Sequence, residues 1–131
     1  MKVLVDTCVW SLVLRHKNPD RKIEMQLKEL ISDGRLSIIG PIRQELLSGI
    51  TSDVQFASLH ERMAFFEDIP LHPDYFVKAA QYSNVCRCKG IQGSHTDFLI
   101  CAVAFYLKLM IFTVDLDFKN YRKHLPIVLF E

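Results

Sequence analysis

No run in the 131 residues is long and apolar enough to cross a bilayer: the longest, Phe98 to Leu107, falls well short of the roughly 20 residues a span requires. No basic-then-apolar leader precedes the first apolar run, so Met1 reads as a true start and a cytoplasmic protein is expected. No stretch is rich in Ser, Gly or Pro, which leaves little room for a linker or disordered tail. The four cysteines form no disulfide framework, and in a leaderless chain they are expected to be reduced. Cys86 and Cys88 could offer two zinc ligands, yet no second pair stands at finger spacing and the five histidines are scattered. Also lacking are a glycine-rich phosphate loop, a Ser or Cys with a convincing His partner for covalent catalysis, and any internal repeat.

What is present is a chain that is half hydrophobic and 24 % charged, enough for one domain over residues 1–131 with a sizeable core and no staples. The net charge of +1 argues at first against a nucleic-acid partner. Its distribution argues the other way. If Asp6, Glu45, Asp97, Asp115 and Asp117 gather in one pocket, the remaining surface is basic, with Arg15-His16-Lys17, Arg21-Lys22, Arg87 with Lys89, and Lys119 with Arg122-Lys123-His124 as rim candidates. Each cluster taken singly also suits an ordinary solvated helix face.

The stretch Val3-Leu4-Val5-Asp6-Thr7 anchors the fold: an unbroken apolar run ending in a carboxylate and a hydroxyl reads as a buried parallel strand. Chemistry in open α/β sheets gathers beyond such carboxyl ends. Asp6 and Thr7 equally suit the cap of the next helix, which runs to about Arg15 and is broken at Asn18-Pro19-Asp20. Ile23, Leu27, Leu30 and Ile31 then mark a clean helix stopped by Gly34. Leu36 to Ile39 reads as a second buried strand, and Gly40-Pro41 opens a helix carrying Glu45 and ending at Gly49. Ser52 or Asp53 caps another, with Phe56, Leu59, Met63 and Phe66 on its apolar face. Asp68-Ile69-Pro70-Leu71 is an edge strand or none.

Pro73 to Cys88 is the next predicted helix, with Phe76, Ala79, Ala80 and Ser83 on its packed side and Gly90 as its stop. Ser94 caps an apolar helix from His95 to Leu107 with Asp97 in its first turn, where the dipole alone would favour a carboxylate. Leu109 to Thr113 is a third strand, ending in Thr113-Val114-Asp115-Leu116-Asp117, and Ile127 to Phe130 a last one. Cys8 and Cys101 fall in apolar helical patterns and are expected in the core. Alternating strands and helices imply right-handed crossovers and an α/β fold with a central, mainly parallel sheet covered on both faces.

Two strand ends bearing Asp, a Glu just past another and an Asp opening a helix can all face one sheet edge. Clustered carboxylates repel one another unless a cation sits among them. Magnesium takes oxygen ligands and keeps several waters. A carboxylate beside it can orient or deprotonate water while the ion stabilises charge on a phosphoryl oxygen, and one ion or two could operate.

These pieces resemble a PIN domain, and most closely the VapC-type toxins of bacterial toxin–antitoxin pairs. The matching segments are Val5-Asp6-Thr7, Pro41 through Glu45-Leu46-Leu47-Ser48-Gly49, Gly93-Ser94-His95-Thr96-Asp97-Phe98-Leu99-Ile100, and Thr113 through Phe118, in the family's order over almost the whole chain. The resemblance implies a three-layer α/β/α fold with strand order 3-2-1-4-5 and metal-dependent endoribonuclease activity, often on structured RNA such as tRNA. It also implies homodimerisation and inhibition by a cognate antitoxin protein. Residue by residue, Asp6, Glu45 and Asp97 match the family's metal-binding acids, Asp115 its fourth acidic position, and Asp117 an acid found in many members. Thr7 and Thr113 match hydroxyls that position water or carboxylates. Cys8 departs from the Ser or Asn that relatives often carry.

The leading reading is thus an Mg2+-dependent ribonuclease, with Mn2+ able to substitute. Asp6, Asp97 and Asp115 hold the ion, Glu45 orients the attacking water, and Asp117, Thr7 and Thr113 support. A receiver-like signalling domain would need a phosphoacceptor Asp ending a middle strand, where this chain has Gly40 and Pro70. A haloacid-type phosphatase would need a second Asp where Cys8 stands. A non-catalytic PIN-like RNA-binding module is disfavoured because the acids are all present. An antitoxin helix would dock on surplus apolar residues, for which Val9, Trp10, Leu14 and Phe65-Phe66 are candidates unless they pack internally.

Overall fold

The central strand of the molecule is the first one in the chain. In this computed structural model, which describes residues 1–131, β1 (Val3–Val5) is wholly buried and pairs in parallel on both sides. One neighbour is β2 (Leu36–Ser37), the other β3 (Met110–Phe112), giving the order β2-β1-β3. Between them run α1 (Thr7–Leu14), α2 (Arg21–Ser32), α3 (Gly40–Leu47), α4 (Asp53–Met63), α5 (Pro73–Cys88) and α6 (His95–Leu107), and α7 (Asp117–Arg122) follows β3. No helix is long and apolar enough to cross a membrane.

The two outer strands are shorter than the apolar runs suggest. Ile38 makes an isolated parallel bridge to Asp68, and Ile111 one to Leu129. The sheet thus runs from the bridge at Asp68 through β2, β1 and β3 to the bridge at Leu129, and of the five strands expected in the order 3-2-1-4-5 only the inner three form continuous ladders. Leu36–Ile39 yields a two-residue strand because Ile38 pairs only through its bridge to Asp68 and Ile39 serves as the N-cap of α3, with Pro41 in the first turn of that helix. Ile127–Phe130 forms no continuous strand either; Pro126 precedes it and only Leu129 bridges. The fold is a three-layer α/β/α arrangement: α1 packs with α2 and α3, α3 with α4, while α5 lies along α6, which packs on β3.

Local chemistry accounts for the helix ends. Asp20 Oδ1 accepts from the Ile23 N–H at 3.1 Å, and Ser52 and Ser94 cap α4 and α6 through their hydroxyls. Gly34 ends α2 at φ +66°, a backbone that a side chain disfavours. The apolar α6 disappears into the core from Phe98 to Ala104.

Two predicted faces are rotated. On α5 the buried residues are Ala79, Tyr82 and Cys86, whereas Phe76 and Ala80 are exposed. The Tyr75, Tyr82 stripe wins because it meets aromatic partners on α6: Tyr75 lies 5.3 Å from Tyr106 and Tyr82 6.2 Å from Phe105. On α4, Leu59 and Met63 are buried but Phe56 is exposed. Of the surplus apolar residues, Val9 and Trp10 are consumed by the core, Trp10 edge-on to half-buried Phe66 at 5.2 Å. Phe65 stays exposed. Cys101 and Cys86 are buried and Cys88 exposed, all as free thiols.

One clamp was not legible in the sequence. Arg43 on α3 donates to Met63 O at 2.8 Å, Phe66 O at 2.6 Å and Asp68 Oδ1 at 2.9 Å, tying the end of α4 and the edge segment to the helix that carries Glu45. Its removal leaves two carbonyls and a carboxylate without their shared donor. Arg43→Ala should lower unfolding free energy by about 2 kcal/mol in urea titration, and a change below about 0.5 kcal/mol, the scale of an ordinary surface substitution, would show the clamp to be idle.

Candidate active site

The first acid is held by β1, α1 and the segment after β3 together. The Asp6 N–H continues the parallel ladder by donating to Phe112 O at 2.9 Å, and its carbonyl receives the Val9 N–H. Its side chain caps α1, Oδ1 accepting from Thr7 N at 2.8 Å. Capping and a chemical role do not compete here, because the other oxygen is free for different partners. Oδ2 accepts from the Thr113 hydroxyl at 2.8 Å and from the Cys8 thiol at 3.3 Å.

Thr113 sits just beyond β3 and works as a coupler. While donating to Asp6, its hydroxyl accepts the Asp115 N–H at 3.0 Å; Asp115 Oδ1 in turn accepts the Asp117 N–H at 2.9 Å. The run after β3 is thereby folded back toward the end of β1. From α3, Glu45 joins the same end of the sheet: Oε1 accepts from the Thr7 hydroxyl at 2.7 Å. Asp97 in the first turn of α6 receives the Tyr121 hydroxyl on Oδ2 at 2.7 Å, while its N–H goes to the Ser94 hydroxyl at 3.0 Å.

Asp97 feels the charges of both Asp6 and Asp115, and Asp6 feels that of Asp115. Burial, with the Asp115 charge adding to it, raises the Asp6 pKa above the ordinary 3.8, against the bonds from Thr113, Cys8 and Thr7. Asp97 is raised likewise, first by burial and then by the charges of Asp6 and Asp115. Cys8 is pushed up to about 11 by burial and the Asp6 carboxylate, so it stands in the site as a neutral thiol. Burial and the bond to Asp97 raise the Tyr121 phenol.

All seven sequence-predicted residues lie on this hydrogen-bonded corner, but in different relations. Asp6, Asp97 and Asp115 interact through charge, Asp117 reaches the group through Asp115, and Glu45 through Thr7. No three His, Cys, Asp or Glu side chains close into a ready-made cage. The donor set still fits a hard divalent cation. It is made of carboxylate oxygens whose mutual repulsion and burial a positive charge would relieve, and magnesium is commonly held by one or two carboxylates with water completing the shell.

Two hollows flank the corner. One, of about 410 Å³, is lined by Thr113 and Asp115 together with Lys22 and Lys119. The other, of about 430 Å³, runs from Pro41 on α3 across α5 to the start of α6, with Arg87, His95 and Thr96 in its wall. Neither is lined by Asp6, Glu45 or Asp97. Sequence reasoning missed Tyr121, and it put Cys8 in the core rather than on Asp6. The only signal for the first was a tyrosine four residues beyond Asp117, whose hydroxyl needs a partner once its ring is buried.

The raised Asp97 pKa has a stability consequence. A carboxyl whose pKa rises on folding supports the fold below its unfolded pKa and withdraws that support as pH climbs through the raised value. Asp97→Asn should therefore raise the melting temperature of metal-free protein by several degrees at pH 7. In calorimetry the gap should close as pH falls toward 3.8, and equal melting at pH 7 would contradict the charge-repulsion account.

A family model for the PIN domain matches residues 3–124. No curated protein matches the sequence closely enough to count as a relative. Among solved structures, FitAcB from Neisseria gonorrhoeae superposes with a TM-score of 0.79 at 21 % identity, covering 98 % of this chain and 96 % of that one. VapBC2 from Rickettsia felis, bound to a promoter DNA fragment, gives 0.80 at 18 % identity over 100 % and 98 %. DNA-bound VapBC from Salmonella typhimurium gives 0.77 at 16 % over 100 % and 97 %. At these identities the solved structures share the fold with this chain. The family model, spanning nearly every residue between the first strand and the last helix, carries the assignment: this chain belongs to the PIN domain family, whose members are generally nucleases.

Proposed function

We propose that this chain is a metal-dependent endoribonuclease and the toxin of a VapBC-type toxin–antitoxin pair, with residues 1–131 acting as one PIN unit. The observation that carries the reading is the corner at which buried Asp6 and half-buried Asp97 both lie within range of the Asp115 charge, and Asp97 within range of that of Asp6. Such an arrangement is unfavourable for a protein that has no use for a cation there.

In this reading Asp6, Asp97 and Asp115 hold Mg2+, or Mn2+ in its place. When bound, the ion supplies positive charge that stabilises a phosphoryl oxygen as negative charge builds on it. The rest is done by the chain. Thr113 holds the Asp6 carboxylate in one orientation and bonds the Asp115 N–H with the same hydroxyl. Glu45 is exposed, so its second oxygen can orient a water and take its proton, while Thr7 holds the first. Asp117 supports Asp115 through its backbone. Lys22 and Lys119 on one side and Arg87 and His95 on the other offer positive charge to the phosphates of a strand laid across the corner. RNA, and structured RNA such as tRNA in particular, is the substrate implied by the resemblance to VapC-type toxins.

The antitoxin partner is supported by the kinds of complex in which the superposed structures were solved, VapBC and FitAcB. A shallow hollow of about 270 Å³ between α1, α2 and α4, walled by Val13, Leu14, Leu27, Ile31 and Phe66, suits the apolar face of its helix. Homodimerisation is the further assembly this reading includes.

Labelled total RNA should be cut by the purified chain in Mg2+, spared in EDTA, and cut at least about 100-fold more slowly by Asp97→Asn. Equal cleavage in all three lanes would end the nuclease reading. Co-expression with the product of an adjacent small reading frame should return a complex that Leu14→Glu weakens. A complex indifferent to that change would remove the hollow as its seat.

A further inference from the structure

The acids leave one buried polar side chain at the site unexplained. Tyr121 is fully buried on α7, its ring centroid 5.1 Å from that of Phe98 on α6 and 5.1 Å from that of Phe118. A phenylalanine would fill that space equally well, so packing alone does not call for the hydroxyl. That hydroxyl donates to Asp97 Oδ2 at 2.7 Å.

Gly93 makes the bond possible. A β-carbon at that position would run into the Tyr121 hydroxyl and stand 2.9 Å from its Cζ and 3.0 Å from Phe98 Cε2. Any side chain there would push the phenol off Asp97 or disturb both rings. The turn before α6, the first turn of α6 and the whole of α7 thus meet at a single hydrogen bond. Backbone bonds fix the far end of the lever, Tyr121 O accepting from His124 N at 2.9 Å and Leu125 N at 2.8 Å.

We propose that Tyr121 is a positioning residue for the divalent ion: seated in the slot left by Gly93, it fixes the Asp97 carboxylate in one rotamer, occupies Oδ2 and leaves Oδ1 to the cation. This rests on the metal-nuclease reading given above. Asp97 is only half-buried and, apart from Tyr121, no side chain bonds its carboxylate, so without the phenol the group is free to turn toward solvent and away from Asp6 and Asp115. Partners that orient a metal-binding side chain in this way typically change affinity by about 10–100-fold when removed.

The test uses the full chain as Tyr121→Phe and, separately, Gly93→Ala, with Mn2+ as the probe. Calorimetric titration of metal-free protein should give an Mn2+ dissociation constant about tenfold weaker for Tyr121→Phe, and a smaller Mn2+-induced rise in melting temperature, from a metal-free melting temperature near that of the wild type. Gly93→Ala should weaken Mn2+ binding while keeping the phenol. In RNA cleavage, the Mg2+ concentration for half-maximal rate should rise by a similar factor with KM for RNA unchanged, and added Mg2+ should restore most of the rate. An Mn2+ isotherm identical to wild type in either variant would overturn the assignment, as would a Tyr121→Phe protein that loses stability but binds Mn2+ normally. If the wild type itself binds no Mn2+, the metal reading falls and this inference with it.

Discussion

The parallel pairing of β1 with β3 is the constraint on which the site depends. It sets Val5 against Phe112 and lets the Asp6 N–H close on Phe112 O. The next residue on each strand is then a carboxylate on one side and a hydroxyl on the other, and they meet as the 2.8 Å bond from Thr113 to Asp6. A slip of one residue in this register would send the alternating side chains to the opposite faces of the sheet. The wholly buried β1 enforces the register, because both of its faces are committed to the core.

Around that pairing the molecule spends stability on a concentration of negative charge. Asp6 and Asp97 are both harder to ionise in the folded chain than in the open one, and each feels Asp115. Protein interiors oppose such arrangements by several mechanisms, burial foremost. The compensation is local and hydrogen-bonded: Thr7 N, Thr113 and Cys8 serve Asp6, Tyr121 serves Asp97, and the Asp117 N–H serves Asp115. The corner is therefore held together by the chain's own hydrogen bonds. Cys8 belongs to this frame as a neutral donor, performing the orienting task of a hydroxyl with a larger and softer atom.

Sequence patterns served best where one physical requirement dominates. The caps at Ser52 and Ser94, the stop at Gly34 and the proline opening α3 depend on a few neighbouring residues, and each stands where the local chemistry puts it. The faces of α4 and α5 were less legible, because periodicity says that a helix has an apolar side but not which of two overlapping stripes finds a partner. Phe76 and Ala80 lie outward because Tyr75 and Tyr82 meet the aromatic rings of α6. Tyr121 was hidden for a related reason, its partner Asp97 lying 24 residues back in the chain, and so was the 3.4 Å contact of Cys8 with Thr113 Oγ1, although its bond to Asp6 is local.

From the order of residues alone came the alternation of strands and helices, the acids at the ends of apolar runs, and the family to which their spacing belongs. These are local facts, decided by propensity, capping and the period of hydrophobic residues. The tertiary structure decided which carboxylates interact directly, which do so through a threonine, that Asp97 is held by a phenol across a glycine slot, and that Arg43 clamps the edge of the sheet. Such matters depend on how separated segments approach one another to within a hydrogen bond, and a difference of an ångström in that approach leaves no mark on the pattern of residue types.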